Sequence, residues 1–305
     1  AVAEQLDCAV EQVLPFSTGV ILEPLPVQKI ISALPSVHPA HWNDAARAIM
    51  TTDTVPKAGS REGKIGENHQ VRATGIAKGA GMIHPNMATM LAFIATDAKV
   101  SQPILQMLTQ EVADMSFNSL TVDGDTSTND SFVIVATGKN EQSEIDNIAD
   151  PRYEQLKELI CNLALELAQA IIRDGESATK FITVHVKNAS SREDARKVAY
   201  AIAHSPLVKT AFYASDPNLG RLLCAIGYAG VESLDPDEVH MYLGDVLVVE
   251  KGGRAASYTE EEGQRVMNEA EITVTVDLQS GREEAKVYTC DFSKEYVTIN
   301  ADYRS

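Results

Sequence analysis

Residues 78–97, Lys-Gly-Ala-Gly-Met-Ile-His-Pro-Asn-Met-Ala-Thr-Met-Leu-Ala-Phe-Ile-Ala-Thr-Asp, join a glycine-punctuated approach to an apolar run. Gly79 and Gly81 permit positive φ and close backbone approach, and Pro85 fixes the chain shortly before a small residue, Ala88, and a hydroxyl residue, Thr89. A threonine in that setting can attack the carbonyl carbon that precedes it. The N→O shift gives an ester, and hydrolysis leaves threonine as a new N-terminus. Such a residue carries nucleophile and base together, because its own α-amine, with a reference pKa of about 8, can accept the hydroxyl proton. On pattern alone the plainer reading, a glycine-rich loop leading to a buried strand, is the stronger of the two.

Four further segments set polar groups beside glycine. Ser17-Thr18-Gly19 can present a hydroxyl and a backbone N–H side by side, the pair an oxyanion requires, or form an ordinary turn. Asp123-Gly-Asp-Thr-Ser-Thr-Asn-Asp130 begins like a calcium loop, but its twelfth position is Ile134, which removes that reading. Asp174-Gly175-Glu176 reads as a helix C-cap. Ser215-Asp-Pro-Asn-Leu-Gly-Arg221 places a helix start beside an arginine, suited to a carboxylate or phosphate, or else to a turn with a solvated guanidinium. The seven histidines pair into no metal or hydrolase pattern; His38 and His41 flank Pro39 with only Asp44 near. With no Gly-x-Ser-x-Gly elbow, phosphate loop or Gly-x-Gly-x-x-Gly, serine-hydrolase, kinase and dinucleotide-binding readings have no support.

The elements that must position these residues follow from pattern. Short helices are expected at Val27–Leu34 and Trp42–Met50, and Asp53–Gly66, rich in polar residues and glycine, reads as a loop. Ser101 opens an amphipathic helix carrying Ile104, Leu105, Leu108, Val112 and Met115. Ser131–Thr137 is β-branched and apolar, a buried strand. Asp150 as N-cap, Pro151 in the first turn and Gly175 past the end bound the longest helix. Beyond it come a strand at Lys180–Val186 and a capping box, Ser190–Glu193, opening a helix to His204. A strand is expected near Val208–Tyr213, a helix near Asn218–Tyr228, a strand near Val239–Val249, and strands at Glu271–Leu278 and Ala285–Ile299. This mixture predicts α/β or α+β architecture with mixed sheets.

Composition bounds the rest. A chain of 305 residues and 33.0 kDa, 44% hydrophobic and 23% charged, suits two globular domains, and the texture changes near Thr179, dividing residues 1–178 from 179–305. With 26 basic and 43 acidic residues the net charge is −17 and the pI about 4.8, a field that repels polyphosphate and speaks against nucleic-acid binding. No apolar run reaches the ~20 residues of a membrane span, and the start has no signal-peptide core. Cys8, Cys161, Cys224 and Cys290 show no zinc spacing; Cys161 and Cys224 lie in apolar runs and read as buried thiols. A soluble, cytoplasmic enzyme without membrane partners is expected.

Taken together, the polar segments resemble the ornithine acetyltransferase family, also called bifunctional glutamate N-acetyltransferases, which are self-processing enzymes of arginine biosynthesis. The resemblance is carried by KGAGMIHPNMATMLAFIATDA (78–98), Ser17–Ile21, Met50–Thr54, Gly124–Ser131, Arg173–Phe181, Asp216–Arg221 and Ile299–Ser305, in family order along the whole chain. It implies Thr89 as nucleophile, self-cleavage between Ala88 and Thr89, and Thr18 with Gly19 as oxyanion hole. It further implies Thr52, Lys78, Thr89, Glu176, Asn300 and Ser305 as substrate-binding residues. Lys78 suits an amino-acid carboxylate, Glu176 an ammonium or a proton transfer, and Ser305, the last residue, adds its α-carboxylate. The implied fold is a layered sandwich of the N-terminal-nucleophile type with a smaller C-terminal α/β domain.

The implied reaction is ping-pong transfer of acetyl from N2-acetylornithine to glutamate, releasing ornithine, with no metal or cofactor. Acetyl-CoA is a second donor in some members, and the α and β pieces assemble as α2β2. Family members carry roughly a hundred residues ahead of the stretch matched by residue 1, and usually have glycine where Ser177 follows Glu176. Two alternatives stand beside this reading: an aminopeptidase or amidase of the same fold, and an inactive, truncated remnant.

Overall fold

The computed structural model describes residues 1–38, 41–84 and 90–302. The chain runs α1 (Val2–Leu6), α2 (Val27–Ala33), α3 (Trp42–Ala48), β1 (Lys57–Ile65), β2 (His69–Lys78), β3 (Leu91–Thr96), α4 (Gln102–Met115), β4 (Ser131–Ala136) and α5 (Pro151–Arg173). It continues with β5 (Phe181–Ala189), α6 (Arg192–His204), α7 (Pro206–Tyr213), α8 (Leu219–Gly227), β6 (His240–Leu243), β7 (Val246–Glu250), β8 (Gly253–Arg254), α9 (Glu260–Met267), β9 (Glu271–Asp277), β10 (Glu283–Cys290) and α10 (Lys294–Ala301). Two mixed sheets result, ordered β1-β2-β3-β4 and β10-β5-β9-β6-β7-β8. In the first, β3 and β4 run parallel and the other pairs antiparallel; in the second, β5 and β9 form the parallel pair.

The long helix α5 explains the first layer. Asp150 accepts the N–H of Arg152, Pro151 fits the first turn, and the helix buries Leu156, Ile160, Leu163, Leu167 and Ile171 among others against the sheet. Truncating one such fully buried leucine costs about 2–5 kcal/mol. The second core gathers β5, β6, β7 and β9 with α6 and α8. The two cores interlock, because Phe181, Tyr288 and Cys290 of the second sheet pack into the first.

Several expected elements change. Asp53–Gly66 is mostly strand β1, and its glycines serve packing instead of turning. A Cβ on Gly59 would lie 2.8 Å from Leu163 Cδ1, and one on Gly63 3.2 Å from Leu159 Cδ1, so glycine lets α5 lie directly on this edge strand. Val208–Tyr213 is helix α7, since Ser205 caps the Val208 N–H and Pro206 fits the first turn, which outweighs β-branched Val208 and Thr210. Ala285–Ile299 divides into β10 and α10, the latter opened by Ser293 accepting the Tyr296 N–H. Val239–Val249 folds back as the hairpin β6–β7 about Gly244, which has φ +55°. Ser191, not Ser190, caps α6. Helix α9, capped by Thr259, has no counterpart among the expected elements. Strand β4 is a sheet edge with Val135 50% exposed, and Cys224 is exposed, not buried.

Candidate active site

Six of the expected site residues, Thr18, Gly19, Thr52, Lys78, Glu176 and Asn300, line one cavity of about 280 Å³. Ala88, Thr89 and Ser305 lie outside the described residues. Thr18 and Gly19 sit on an irregular stretch held from two sides. The Phe16 ring packs edge-on to Phe93 of β3, 5.4 Å between centroids. Asn129 Nδ2 donates to the Ser17 carbonyl and, at 3.1 Å, to Thr18 Oγ1.

The Thr52 loop is tied to Lys78 through a buried charge network. Asp53 accepts N–H bonds from Thr51 at 3.1 Å and from Gly79 at 2.7 Å. Lys57 Nζ lies 2.6 Å from both Asp53 Oδ1 and Asp174 Oδ2, with all three side chains under a tenth exposed. Burial alone would raise the Asp53 pKa, but the Gly79 N–H, Lys57 and the Thr51 N–H stabilise its anion and hold it below the ordinary value. Asp174 also accepts the Thr54 N–H and hydroxyl, which closes the end of α5 over the loop.

Lys78, the last residue of β2, is 1% exposed and has no carboxylate within ion-pair distance among the described residues. Burial lowers its pKa, against the raising influence of Asp53, Asp130 and Glu176. A buried ammonium facing a cavity without an ion-pair partner is a place for a ligand carboxylate. Glu176 follows the C-cap of α5. Its N–H donates to Ala80 O at 2.8 Å, and its carboxylate accepts from Asn300 Nδ2 at 2.8 Å. Asn300 comes from α10, which docks through Tyr296 OH on Asp123 at 3.1 Å, while Asp123 accepts the N–H groups of Met82 and Ile83.

The acidic run at 123–130 thus serves the site through hydrogen bonds. Asp130 Oδ1 accepts the N–H of Met90, the residue after Thr89, at 2.8 Å, and burial raises its pKa. Among the described residues no three metal-binding side chains cluster. Sequence reasoning singled out this run but gave no task to Asn129 or Asp130, nor to Asp53 of the Thr52 loop; Asn129 reaches Ser17 and Thr18, Asp130 reaches Met90, and Asp53 reaches Gly79. Arg221 does not line this cavity: its Nη1 donates to Leu207 O at 2.7 Å, joining α8 to α7, so its guanidinium is held by the fold and is not a solvated turn residue.

Two mixed sheets, a long covering helix and a small cavity with a buried cation, a carboxylate and a hydroxyl–amide wall define an α/β enzyme fold with a site of amino-acid size. The ArgJ family description matches residues 1–305, and the chain belongs to that family. It is 75% identical over its whole length to a Neisseria meningitidis serogroup B protein called arginine biosynthesis bifunctional protein ArgJ, covering 75% of that protein. Identity to the Neisseria gonorrhoeae protein of the same name is 74%, with the same coverage. A crystal structure of arginine biosynthesis bifunctional protein ArgJ from Bacillus halodurans matches with a TM-score of 0.65 at 36% identity, covering 68% of this chain and 96% of that one.

Proposed function

We propose that this cavity transfers an acetyl group from N2-acetyl-L-ornithine to L-glutamate through an acetyl ester on Thr89, after self-cleavage at Ala88–Thr89. The chain is an acyltransferase of arginine biosynthesis, with ornithine and glutamate acetyltransferase activities. The observation that carries the mechanism is the convergence of Thr18, Gly19, Thr52, Lys78, Glu176 and Asn300 on one cavity from distant parts of the chain.

In this reading the free α-amine of Thr89 takes the proton from its own Oγ, and Oγ attacks the acetyl carbonyl. The Thr18 hydroxyl and Gly19 N–H donate to the oxyanion as it forms. The amide bond breaks, ornithine leaves with the proton, and the acetyl ester remains. Glutamate's amine then attacks that ester by the reverse sequence. Both amino acids share an α-carboxylate, which Lys78 receives, while Glu176 takes the ornithine ammonium. The same proposal includes acetyl-CoA as an alternative donor, no cofactor, an α2β2 assembly and a cytoplasmic location; among the described residues no helix is long and apolar enough to cross a membrane. The test is ornithine release from acetylornithine with and without glutamate. Release that depends on glutamate is expected; release at the same rate into water alone would favour an amidase.

A further inference from the structure

We propose that Asn129 is the positioning residue of the oxyanion hole, a role that rests on the acyl-transfer reading. A threonine hydroxyl has one proton and two lone pairs, so it can donate to an oxyanion only if its other neighbours leave that proton free. Asn129 satisfies this condition. Its Nδ2 carries two hydrogens and faces two oxygens, the Ser17 carbonyl and Thr18 Oγ1, the latter at 3.1 Å. The Ser17 carbonyl can only accept, which fixes the amide orientation with nitrogen toward it. Thr18 Oγ1 therefore receives a hydrogen bond from Asn129, and its own O–H is left to point into the cavity.

The other end of the amide is anchored too. Ser127 Oγ, with one proton to give, lies 3.0 Å from Asn129 Oδ1 and 2.9 Å from Asp130 Oδ1, and the Asn129 N–H donates back to Ser127 Oγ at 3.3 Å. The next residue, Asp130, holds the N–H of Met90. One four-residue segment, 127–130, thus grips the oxyanion wall with one side chain and the peptide that follows Thr89 with the next. It ties the oxyanion wall to Met90, two parts of the chain about seventy residues apart.

The chemistry gives a test that a merely structural role does not pass. In Asn129→Asp the ionised carboxylate can only accept, so it captures the Thr18 proton and removes the donor. Once protonated, the acid can again donate. Relative to wild type, turnover of Asn129→Asp per cleaved molecule is expected to fall roughly 100-fold at pH about 8, the scale of losing one oxyanion donor, and to recover severalfold toward pH about 5. Asn129→Ala is expected to lose turnover by the same ratio at both pH values, and it supplies the comparison should the aspartate variant fail to fold or cleave. Because Asn129 acts through Thr18, either substitution should cost less than about twofold when Thr18 is already valine. A pH-independent ratio for Asn129→Asp, or full additivity with Thr18→Val, would overturn the assignment while leaving the proposed reaction standing. Absence of glutamate-dependent transfer in the wild type would instead overturn the reaction, and the role of Asn129 with it.

Discussion

Gly81 shows how a residue without a side chain places a charge. A Cβ there would lie 2.5 Å from the Glu176 carboxyl carbon and 2.5–2.6 Å from its oxygens. Its φ is not positive, so alanine is tolerable to the backbone, and the three nearest atoms all belong to the flexible end of Glu176. Gly81→Ala is therefore expected to raise KM for acetylornithine about tenfold, roughly 1.4 kcal/mol of binding, without changing the thermal midpoint. Steady-state kinetics beside a melting curve checks this, and an unchanged KM would mean the carboxylate position does not matter for binding. At this scale the sequence was informative: Thr18, Lys78, Glu176 and Asn300 could be singled out because motifs state residue type and order. Asn129 reaches Ser17 and Asp53 reaches Gly79 across 112 and 26 positions, contacts that no local spacing reveals.

At the scale of elements, legibility followed the strength of local signals. Helix α5 combined an Asp cap, a Pro in the first turn and apolar residues over most of its circumference, and it formed as expected. Strand β1 did not announce itself, because glycines demanded by the packing of α5 look the same in sequence as glycines demanded by turns. The α7 segment has β-branched residues but also a capping Ser205, and the cap prevailed. The turn after α5 yields a prediction. Ser177 holds φ at +58°, a left-handed conformation that costs an L-residue. Ser177→Gly is expected to stabilise the protein by about 0.5–1 kcal/mol, after the extra chain entropy of glycine is subtracted. Denaturant titration should show the midpoint rising with an unchanged slope; a lower midpoint would mean the Ser177 side chain contributes more than the strain costs.

Across the whole molecule the two cores meet at a pair of imidazoles. His84, on the loop that follows β2, lies 4.7 Å, ring centre to ring centre, from His204 at the end of α6, with Tyr200 alongside. Burial, helped by His84 and Lys209, pushes the His204 pKa down to about 4. The folded value is below the unfolded one, so the unfolded chain binds the proton first as pH falls. Stability is then full above pH about 6.5 and declines toward pH about 4, by up to about 3 kcal/mol from this group. Replacing His204 with Phe should flatten unfolding free energy over that window, as read by urea titrations at several pH values; an unchanged slope would show that other groups govern it. Sequence composition could bound charge and class, but not which side chains would meet where the sheets interlock.

The central claim, that Thr89 becomes an N-terminal nucleophile in this cavity, is tested most directly by the intact mass of the purified protein under denaturing conditions. Dividing 33.0 kDa in the proportion 88 to 217 gives pieces of about 9.5 and 23.5 kDa for this stretch of chain. Two species are expected, the larger beginning with threonine and gaining one acetyl group when acetylornithine is supplied without glutamate. A single 33.0 kDa species, with Thr89 still locked in an amide and no acetyl gained, would contradict it.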